Sequence, residues 1–213
     1  MTDGAPARPE TSEPTKKPAK TDNVPRDDPD EVWAWTWQQI RRGTADRRSP
    51  FHAPTLATVD PAGLPTLRTV VLQACDEDNA MLLCHTHCDA GKVAHVRDRP
   101  GSSWHIYDRG RKVQVILSGE TTVHAKDDLA EERWLAVREF SRMCYRRPLP
   151  PGRPRPEDWP VHEGTGREHF CVLRTRVHTV RWLFLHHAGH RGWLFSREEK
   201  DQSQAWASVA LTT

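Results

Sequence analysis

Three polar side chains stand at positions where the neighbouring residues are typical of apolar β-strands or of strand ends. Arg68 lies within one β-branched run, Gln114 lies within another, and Lys92 opens a predicted short helix just after the strand that ends at Thr86. A helix N-terminus with a nearby lysine and threonine binds anions well, because free backbone N–H groups and positive charge converge there. Taken singly, each side chain is more often found on the solvated face of a strand. Taken together, they predict one ligand with an anionic end and a planar, hydrogen-bonding end.

The elements that must position these residues are predicted to be short strands with a few helices outside them. Helices do not alternate with strands, and the chain has no glycine-rich dinucleotide fingerprint, so a doubly wound sheet is disfavoured. The pattern favours a mainly β fold, built as a closed or half-closed antiparallel barrel. Strands are predicted over 55–60, 65–74, 80–86, 102–108, 112–124, 170–185, 192–196 and 205–211. A short helix is predicted over 90–97 and a longer one over 127–140.

The first helix has recognisable start and stop signals. Asp28 is the predicted N-cap, Glu31 supplies the carboxylate of a capping box, and Gly43 is the predicted C-terminal stop. The tryptophans of this helix are predicted to pack it onto the barrel, since tryptophan mostly contributes buried area. The later helix over 127–140 is predicted to bury one apolar face that ends at Phe140.

A set of short motifs follows one order along the chain, with spacings that connect from Arg68 to Gly119 without a gap. They are Thr55–Asp60, Gly63–Pro65, Arg68–Leu72, His85–Thr86, the segment around Lys92, Trp104–His105, Val113–Val115 and Gly119. This ordered set resembles the pyridoxamine 5'-phosphate oxidase-like family of FMN-binding split-barrel proteins, over residues 50–213. Ser141–Tyr145 is similar to a motif that one subfamily retains after its second helix.

The resemblance implies a site for FMN and a small-molecule substrate, in a homodimer that holds the flavin at its interface. Arg68 and Lys92 would bind the flavin phosphate, the former through its fork and the latter as a point charge. The full set of implied cofactor contacts is Arg68, Thr69, Val70, Val71, Leu72, Gln73, His85, Thr86, Lys92, Gln114 and Trp182. The implied substrate contacts are Arg138, Arg142, His190 and Arg191, and no residue is assigned a catalytic role.

Departures from the family pattern fall mainly in the substrate half of the implied site. Gln73 stands where the oxidases have lysine, and Arg138 stands where they have tyrosine. Ala90 and Gly91 replace a serine and a basic residue before the phosphate lysine, and the C-terminal Arg-x-His appears only as 187–190. We therefore expect an FMN-dependent oxidoreductase whose substrate is not pyridoxamine phosphate itself.

The composition limits the other classes of function. A formal net charge of +2 in 213 residues gives no electrostatic signature of nucleic-acid binding, and no apolar run approaches the roughly 20 residues that span a membrane. The five cysteines form no dense disulfide pattern, so reduced thiols and a cytoplasmic location are expected. Residues 1–28 are predicted to be a disordered tail and residues 29–213 one domain. The long loop between residues 146 and 166 is either functional or mobile.

Several alternatives remain open from the sequence. The chain could be a flavin-binding carrier or sensor without turnover, or a reductase that uses deazaflavin or reduced nicotinamide as its partner. It could also be a haem-binding split-barrel relative that uses the histidines of the cluster 186–190. The segment 84–88 contains two cysteines and two histidines, but strand alternation would place them on opposite faces, so no metal site is predicted.

Overall fold

Nine antiparallel strands dominate the part of the chain that this computed structural model describes, which comprises residues 24–147, 149–152, 154, 157, 164–197 and 205–213. The strands are β1 (Thr55–Val59), β2 (Pro65–Thr69), β3 (Leu72–Asp76), β4 (Met81–His87), β5 (Gly101–Asp108), β6 (Val113–His124), β7 (Phe170–Phe184), β8 (Arg191–Ser196) and β9 (Ala207–Leu211). The helices are α1 (Pro29–Ala45), α2 (Gly91–Asp98), α3 (Asp128–Ala136) and α4 (Glu139–Arg142), with 3-10 turns over Met143–Tyr145 and Arg167–His169. The predicted mainly β fold is confirmed.

The strands form one sheet in the order β2-β1-β5-β6-β7-β4-β3, to which β8 and β9 are added beside β7. The 15-residue β7 pairs with β6 along its length, with β4 through its first half and with β8 through its second half. The register between β6 and β7 shifts between Ser118 and Gly119. A β-carbon at Gly119 would lie 1.9 Å from the carbonyl oxygen of Arg176, so only glycine fits at this bulge.

The core is formed where α1 covers the sheet. Trp37 and Ile40 of α1 are fully buried, as are Leu56 and Trp104 on neighbouring strands. The indole nitrogen of Trp104 donates a hydrogen bond of 2.8 Å to the hydroxyl of Thr175, so this buried polar group is satisfied. The aromatic face of the first helix therefore contributes packing, as predicted.

The start of α1 follows its sequence signals, but its end does not. The carboxylate of Asp28 accepts the backbone N–H of Glu31 at 2.9 Å, which confirms the predicted N-cap. The Glu31 carboxylate pairs with Arg26 instead of closing a capping box. The predicted stop at Gly43 is wrong, because the helix continues to Ala45. Gly43 instead allows close packing, since a β-carbon there would lie 2.6 Å from the carbonyl oxygen of Phe51.

The predicted strand over 65–74 is interrupted at Val70 and Val71. The N–H of Val70 donates to the carbonyl of Pro54 at 2.9 Å, and the N–H of Leu72 donates to that of His52 at 2.9 Å. These bonds tie the chain to the segment before β1 and separate β2 from β3.

The predicted helix over 127–140 is also shorter than expected. α3 ends at Ala136, and Phe140 is 89% exposed in α4, so it does not continue the buried face. The break lies at Val137, the extended C-cap residue of α3.

The segment just before α1 contacts the domain. The indole nitrogen of Trp193 donates to the carboxylate of Asp27 at 2.9 Å, and the guanidinium of Arg191 donates to the carbonyl of Pro25 at 3.1 Å. Residues 24–28 of the predicted disordered tail thus include contacts with the domain, and its residues 1–23 lie outside the described residues. No helix in the described part of the chain is long and apolar enough to cross a membrane.

The bulge at Gly119 leads to a stability prediction. We expect Gly119→Ala to lower the free energy of unfolding by at least about 1–3 kcal/mol, because the new methyl group collides with the backbone of β7. Gly101→Ala is the matched control in β5, since no atom lies within 4 Å of a β-carbon there. Denaturant titration measures both, and equal effects of the two substitutions would contradict this role of Gly119.

Candidate functional site

The guanidinium of Arg68 lies among threonine hydroxyls at the edge formed by β1 and β2. It donates to the hydroxyl of Thr58 at 2.7 Å, to that of Thr66 at 2.6 Å, and to the carbonyl of Leu56 at 3.1 Å. The register of the hairpin explains this arrangement, since Leu56 is opposite Arg68 and Thr58 is opposite Thr66. Arg68 is half-buried, and burial lowers its pKa below the usual value for arginine.

Lys92 brings a second cation to the same region from the first turn of α2. Its Nζ donates to the hydroxyl of Thr86 at 3.0 Å, one residue before the end of β4. Burial lowers the pKa of Lys92, and the nearby positive charge of Arg68 acts in the same direction. We call Arg68, Lys92, Thr58, Thr66 and Thr86 the cation cluster.

The charge of the cation cluster is not neutralised within the described residues. No carboxylate forms a salt bridge with Arg68 or Lys92 there, although both side chains are partly removed from water. α2 begins after Ala90, whose side chain gives no cap, and the N–H of Val93 donates to the carbonyl of Ala90 at 2.8 Å. Among the described residues, the N–H groups of Gly91 and Lys92 are left to bind a ligand. Two uncompensated cations beside a helix N-terminus form a site for an anion.

The structure brings Arg68, Thr86 and Lys92 together, as the sequence predicted. Three further residues of this region were missed, namely Thr58, Thr66 and His95. The Nδ1 of His95 lies 3.0 Å from the hydroxyl of Thr58 and 3.2 Å from that of Thr66. The alternation of Thr66 with Arg68 on β2 was a usable signal, because residues two apart share a face of a strand.

The ring of His85 is not part of the cation cluster. It packs against Phe170, with the ring centroids 4.8 Å apart, on the face of β4 opposite to Thr86. Its Nε2 is buried without a hydrogen-bond partner among the described residues. Burial, with a smaller contribution from the charge of Arg133, lowers the pKa of His85 to about 4. The ring is therefore neutral at physiological pH.

Gln114 also lies away from Arg68 in a single chain. The register across β2, β1, β5 and β6 places it on the outer face of the sheet together with Leu67, whereas the side chain of Arg68 points to the other face. The amide oxygen of Gln114 is 3.3 Å from Nε2 of His105. Trp182 is fully buried in the core, so its ring is not accessible to a ligand of a partner chain in this conformation.

In the predicted flavin-lining segment 69–73, exposed and buried side chains alternate. The backbone N–H groups of Val70 and Leu72 are already bonded to carbonyl groups, and both side chains are buried. Thr69, Val71 and Gln73 are exposed. Only these three side chains are thus accessible to a ligand from this segment.

The four predicted substrate residues do not hydrogen-bond to the cation cluster within the described part of the chain. Arg142 donates to the carbonyl groups of Trp134 and Leu135 at the end of α3, and its guanidinium lies 5.0 Å from the Trp134 ring centroid. Arg191 lies over the ring of Phe184, at 4.9 Å. These contacts give both arginines a structural role.

The remaining two predicted substrate residues are exposed. Arg138 lies at the start of α4. His190 lies in a turn, where its Nδ1 accepts the backbone N–H of His186 at 3.1 Å. They remain predicted substrate contacts.

Comparison with known proteins gives one curated relative and a group of similar structures. No family model matches the sequence. Dihydrophenazinedicarboxylate synthase of Pseudomonas chlororaphis is 32% identical over 101 residues, which are 47% of this chain and 42% of that protein. The aligned region thus spans less than half the length of the relative.

Two solved structures cover most of the chain. A pyridoxamine 5'-phosphate oxidase-related, FMN-binding protein of Nostoc punctiforme has a TM-score of 0.69 and 23% identity, covering 85% of this chain and 97% of that one. PhzG of Burkholderia lata, in complex with tetrahydrophenazine-1-carboxylic acid, has a TM-score of 0.66 and 15% identity, covering 93% and 98%. The chain has the pyridoxamine 5'-phosphate oxidase-like split-barrel fold. The resemblance predicted from the ordered motifs is confirmed at this level.

The residues of this split-barrel protein fit a phosphate group at the cation cluster. Its hydroxyl groups and N–H donors can bond phosphate oxygens, and the two cations can balance the charge of the group. Gly91 leaves space beside the helix N-terminus, since the nearest atom to a β-carbon there is Nε2 of His95 at 3.8 Å. The site thus combines charge, donors and room for a phosphate.

The buried ring of His85 predicts that acid will destabilise the protein. The folded-state pKa of about 4 is below the ordinary value of 6.5, so the fold favours the neutral ring. This contribution to stability is complete above pH 6.5 and is lost as the pH falls toward 4, to a limit of roughly 3 kcal/mol. Between pH 7 and pH 4, denaturant titrations should show a smaller decrease in the free energy of unfolding for His85→Phe than for the unmodified protein.

His190→Gln, at the exposed turn, is the control for removal of a histidine. If the free energy of unfolding decreases equally with pH in the unmodified protein and in His85→Phe, the loss of stability in acid does not come from His85.

Proposed function

We propose that this chain is an FMN-dependent oxidoreductase that binds the cofactor phosphate at the cation cluster. The observation that carries the proposal is the pair of partly buried cations, Arg68 and Lys92, without a carboxylate partner in the described residues. A phosphate monoester would supply the missing negative charge. The split-barrel fold supports FMN as its source, since one structure of this fold is that of an FMN-binding protein.

Each residue of the cation cluster has a distinct role in this proposal. Arg68 would bind two phosphate oxygens with the two N–H groups that are not bonded to Leu56, Thr58 or Thr66. The two threonines would hold its guanidinium in place. Lys92 would contribute a point charge, and Thr86 would position its ammonium group. When bound, FMN supplies the hydride-accepting chemistry. The protein residues bind and orient the cofactor.

A homodimer would bring Gln114 to the flavin. Within one chain, Gln114 and the guanidinium of Arg68 lie on opposite faces of the sheet. Both would contact the same cofactor if the Gln114 at the site came from a second copy of the chain. Apolar side chains on the outer face support such a contact, since Leu67 is 67% and Tyr107 is 44% exposed. We therefore propose that the flavin lies between two copies of the chain.

The substrate half of the site supports a compound other than pyridoxamine phosphate. Gln73 and Arg138 differ from the oxidases, and Arg142 is engaged at the end of α3. One relative is named a dihydrophenazinedicarboxylate synthase, and one similar structure was solved with tetrahydrophenazine-1-carboxylic acid. Both favour a partly hydrogenated heteroaromatic carboxylate as the substrate. In this reaction the substrate would lose a hydride and a proton, and oxygen would be the final acceptor.

FMN binding tests the role of the cation cluster. We expect added FMN to raise the melting temperature, because a ligand that binds only the native state stabilises it. Lys92→Met should weaken FMN binding about 10- to 100-fold, since it removes a charged hydrogen bond worth about 1.5–3 kcal/mol. Calorimetry should show no such loss for Lys126→Met, which removes an exposed lysine.

A colourless protein whose melting temperature does not respond to FMN would sink the proposed cofactor. Light scattering of the same samples tests the dimer, and a clean monomer with bound flavin would argue against the shared site.

Turnover tests the proposed reaction. We expect tetrahydrophenazine-1-carboxylic acid to reduce the bound flavin without oxygen and to be consumed when oxygen is present, with pyridoxamine phosphate at least about tenfold slower. Absorbance of the flavin follows the first step, and peroxide release follows the second. Flavin that binds but is reduced neither by these compounds nor by reduced nicotinamides would instead support a carrier or sensor.

A further inference from the structure

A second cluster of polar side chains lies at the end of β4, just after Thr86. The ligand atoms of His87, Cys88, Asp89 and His169 all lie within 4.8 Å of one another. His169 comes from the 3-10 turn before β7. The pairing of β4 with β7 places His87 opposite Phe170, and the N–H of Cys88 donates to the carbonyl of His169 at 2.7 Å. Backbone bonds therefore hold the two halves of the cluster together.

Strand alternation, from which no metal site was predicted over 84–88, does not keep these four side chains apart. Alternation separates side chains only within a strand, and β4 ends at His87. Cys88 and Asp89 lie in the turn that leads to α2, so their side chains can converge with that of His87. His169 is distant in sequence and could not be assigned to the cluster from spacing.

His87 has the arrangement of a metal-ligating histidine. Its ring is buried, and its Nε2 lies 3.1 Å from the carbonyl oxygen of Arg147, so Nε2 carries the proton. Nδ1 is then the nitrogen that a metal would bind, and its lone pair accepts the backbone N–H of Asp89 at 3.1 Å, a hydrogen bond that an ion would replace. Histidine ligands of metals usually donate their other N–H to such an acceptor.

The other three donors complete a mixed set of nitrogen, sulfur and oxygen. The ring of His169 is stacked on that of His87 at 4.8 Å, and Nδ1 of His87 is 3.9 Å from the carboxylate of Asp89. The Cys88 thiol lies 3.6 Å from the carbonyl oxygen of Glu168, and it would bind a metal as the thiolate. Cys88 and Asp89 also line an open groove of about 590 Å³, which provides a route of entry.

We propose that His87, Cys88, Asp89 and His169 form a binding site for one divalent transition-metal ion of the zinc class. Two imidazoles, a thiolate and a carboxylate match the ligand preferences of zinc, whereas calcium and magnesium prefer oxygen ligands alone. Ligand atoms of a tetrahedral zinc site are about 3.3–3.8 Å apart, so closing the cluster around an ion requires atom movements of about 1 Å. It also requires the stacked rings of His87 and His169 to tilt toward a common point.

Such an ion would link the connection between β4 and α2 to the start of β7. That connection follows Thr86 and precedes Lys92, so a metal there would restrain the backbone that carries two members of the cation cluster. The proposal does not depend on the function of the cation cluster.

Cobalt titration of the full chain tests this site. We expect one equivalent of Co²⁺ per chain, with a thiolate-to-cobalt charge-transfer band that one equivalent of Zn²⁺ removes. Cys88→Ser should abolish the band, and His169→Gln should weaken metal binding by at least about tenfold. Cys144→Ser is the matched control, because this exposed cysteine lies outside the cluster and should leave the band unchanged.

Circular dichroism establishes that each variant is folded, and Asp89→Asn replaces Cys88→Ser if the latter is not. Absence of stoichiometric binding to the unmodified protein would overturn the proposal. A charge-transfer band that survives Cys88→Ser, or that is lost in Cys144→Ser, would also overturn it by assigning the thiolate to another cysteine.

Discussion

The pairing of β7 with three other strands is the constraint on which the rest of the structure depends. Its first half aligns β4, its second half aligns β8, and β6 runs beside both halves. The change of register at Gly119 allows this, because the backbone of Arg176 occupies the space that a side chain would need. The pairing of β4 with β7 in turn sets the position of Thr86, which belongs to the cation cluster, and of His87, which belongs to the proposed metal site.

The cation cluster illustrates a balance between burial and charge. Arg68 and Lys92 lose hydration in their half-buried positions, and each of their pKa values is lowered by that burial. Threonine hydroxyls satisfy part of their hydrogen bonding but do not neutralise their charge. In the proposed function, a phosphate would provide both the negative charge and the acceptors that these two cations lack among the described residues.

Local patterns made much of the fold and part of the site predictable. The N-cap at Asp28 depends on neighbouring residues alone, and the strands were mostly found within a few residues of their observed ends. Arg68, Thr86 and Lys92 were recognised because polar residues at strand ends and helix starts are locally conspicuous. The predictions failed where distant contacts act, as at Gly43, which packs against Phe51 while its helix continues.

The sequence by itself determined the class of fold and the three central members of the cation cluster, since periodicity, capping and motif order are properties of adjacent residues. Only the tertiary structure decided which other side chains join them. The register of the β1–β2 hairpin added Thr58 to Arg68, and pairing between strands distant in sequence brought His169 to His87. The register across β1, β5 and β6 separated Gln114 from Arg68 within one chain. The physical reason is that strand register places residues on faces and brings together groups far apart in sequence, which no local pattern specifies.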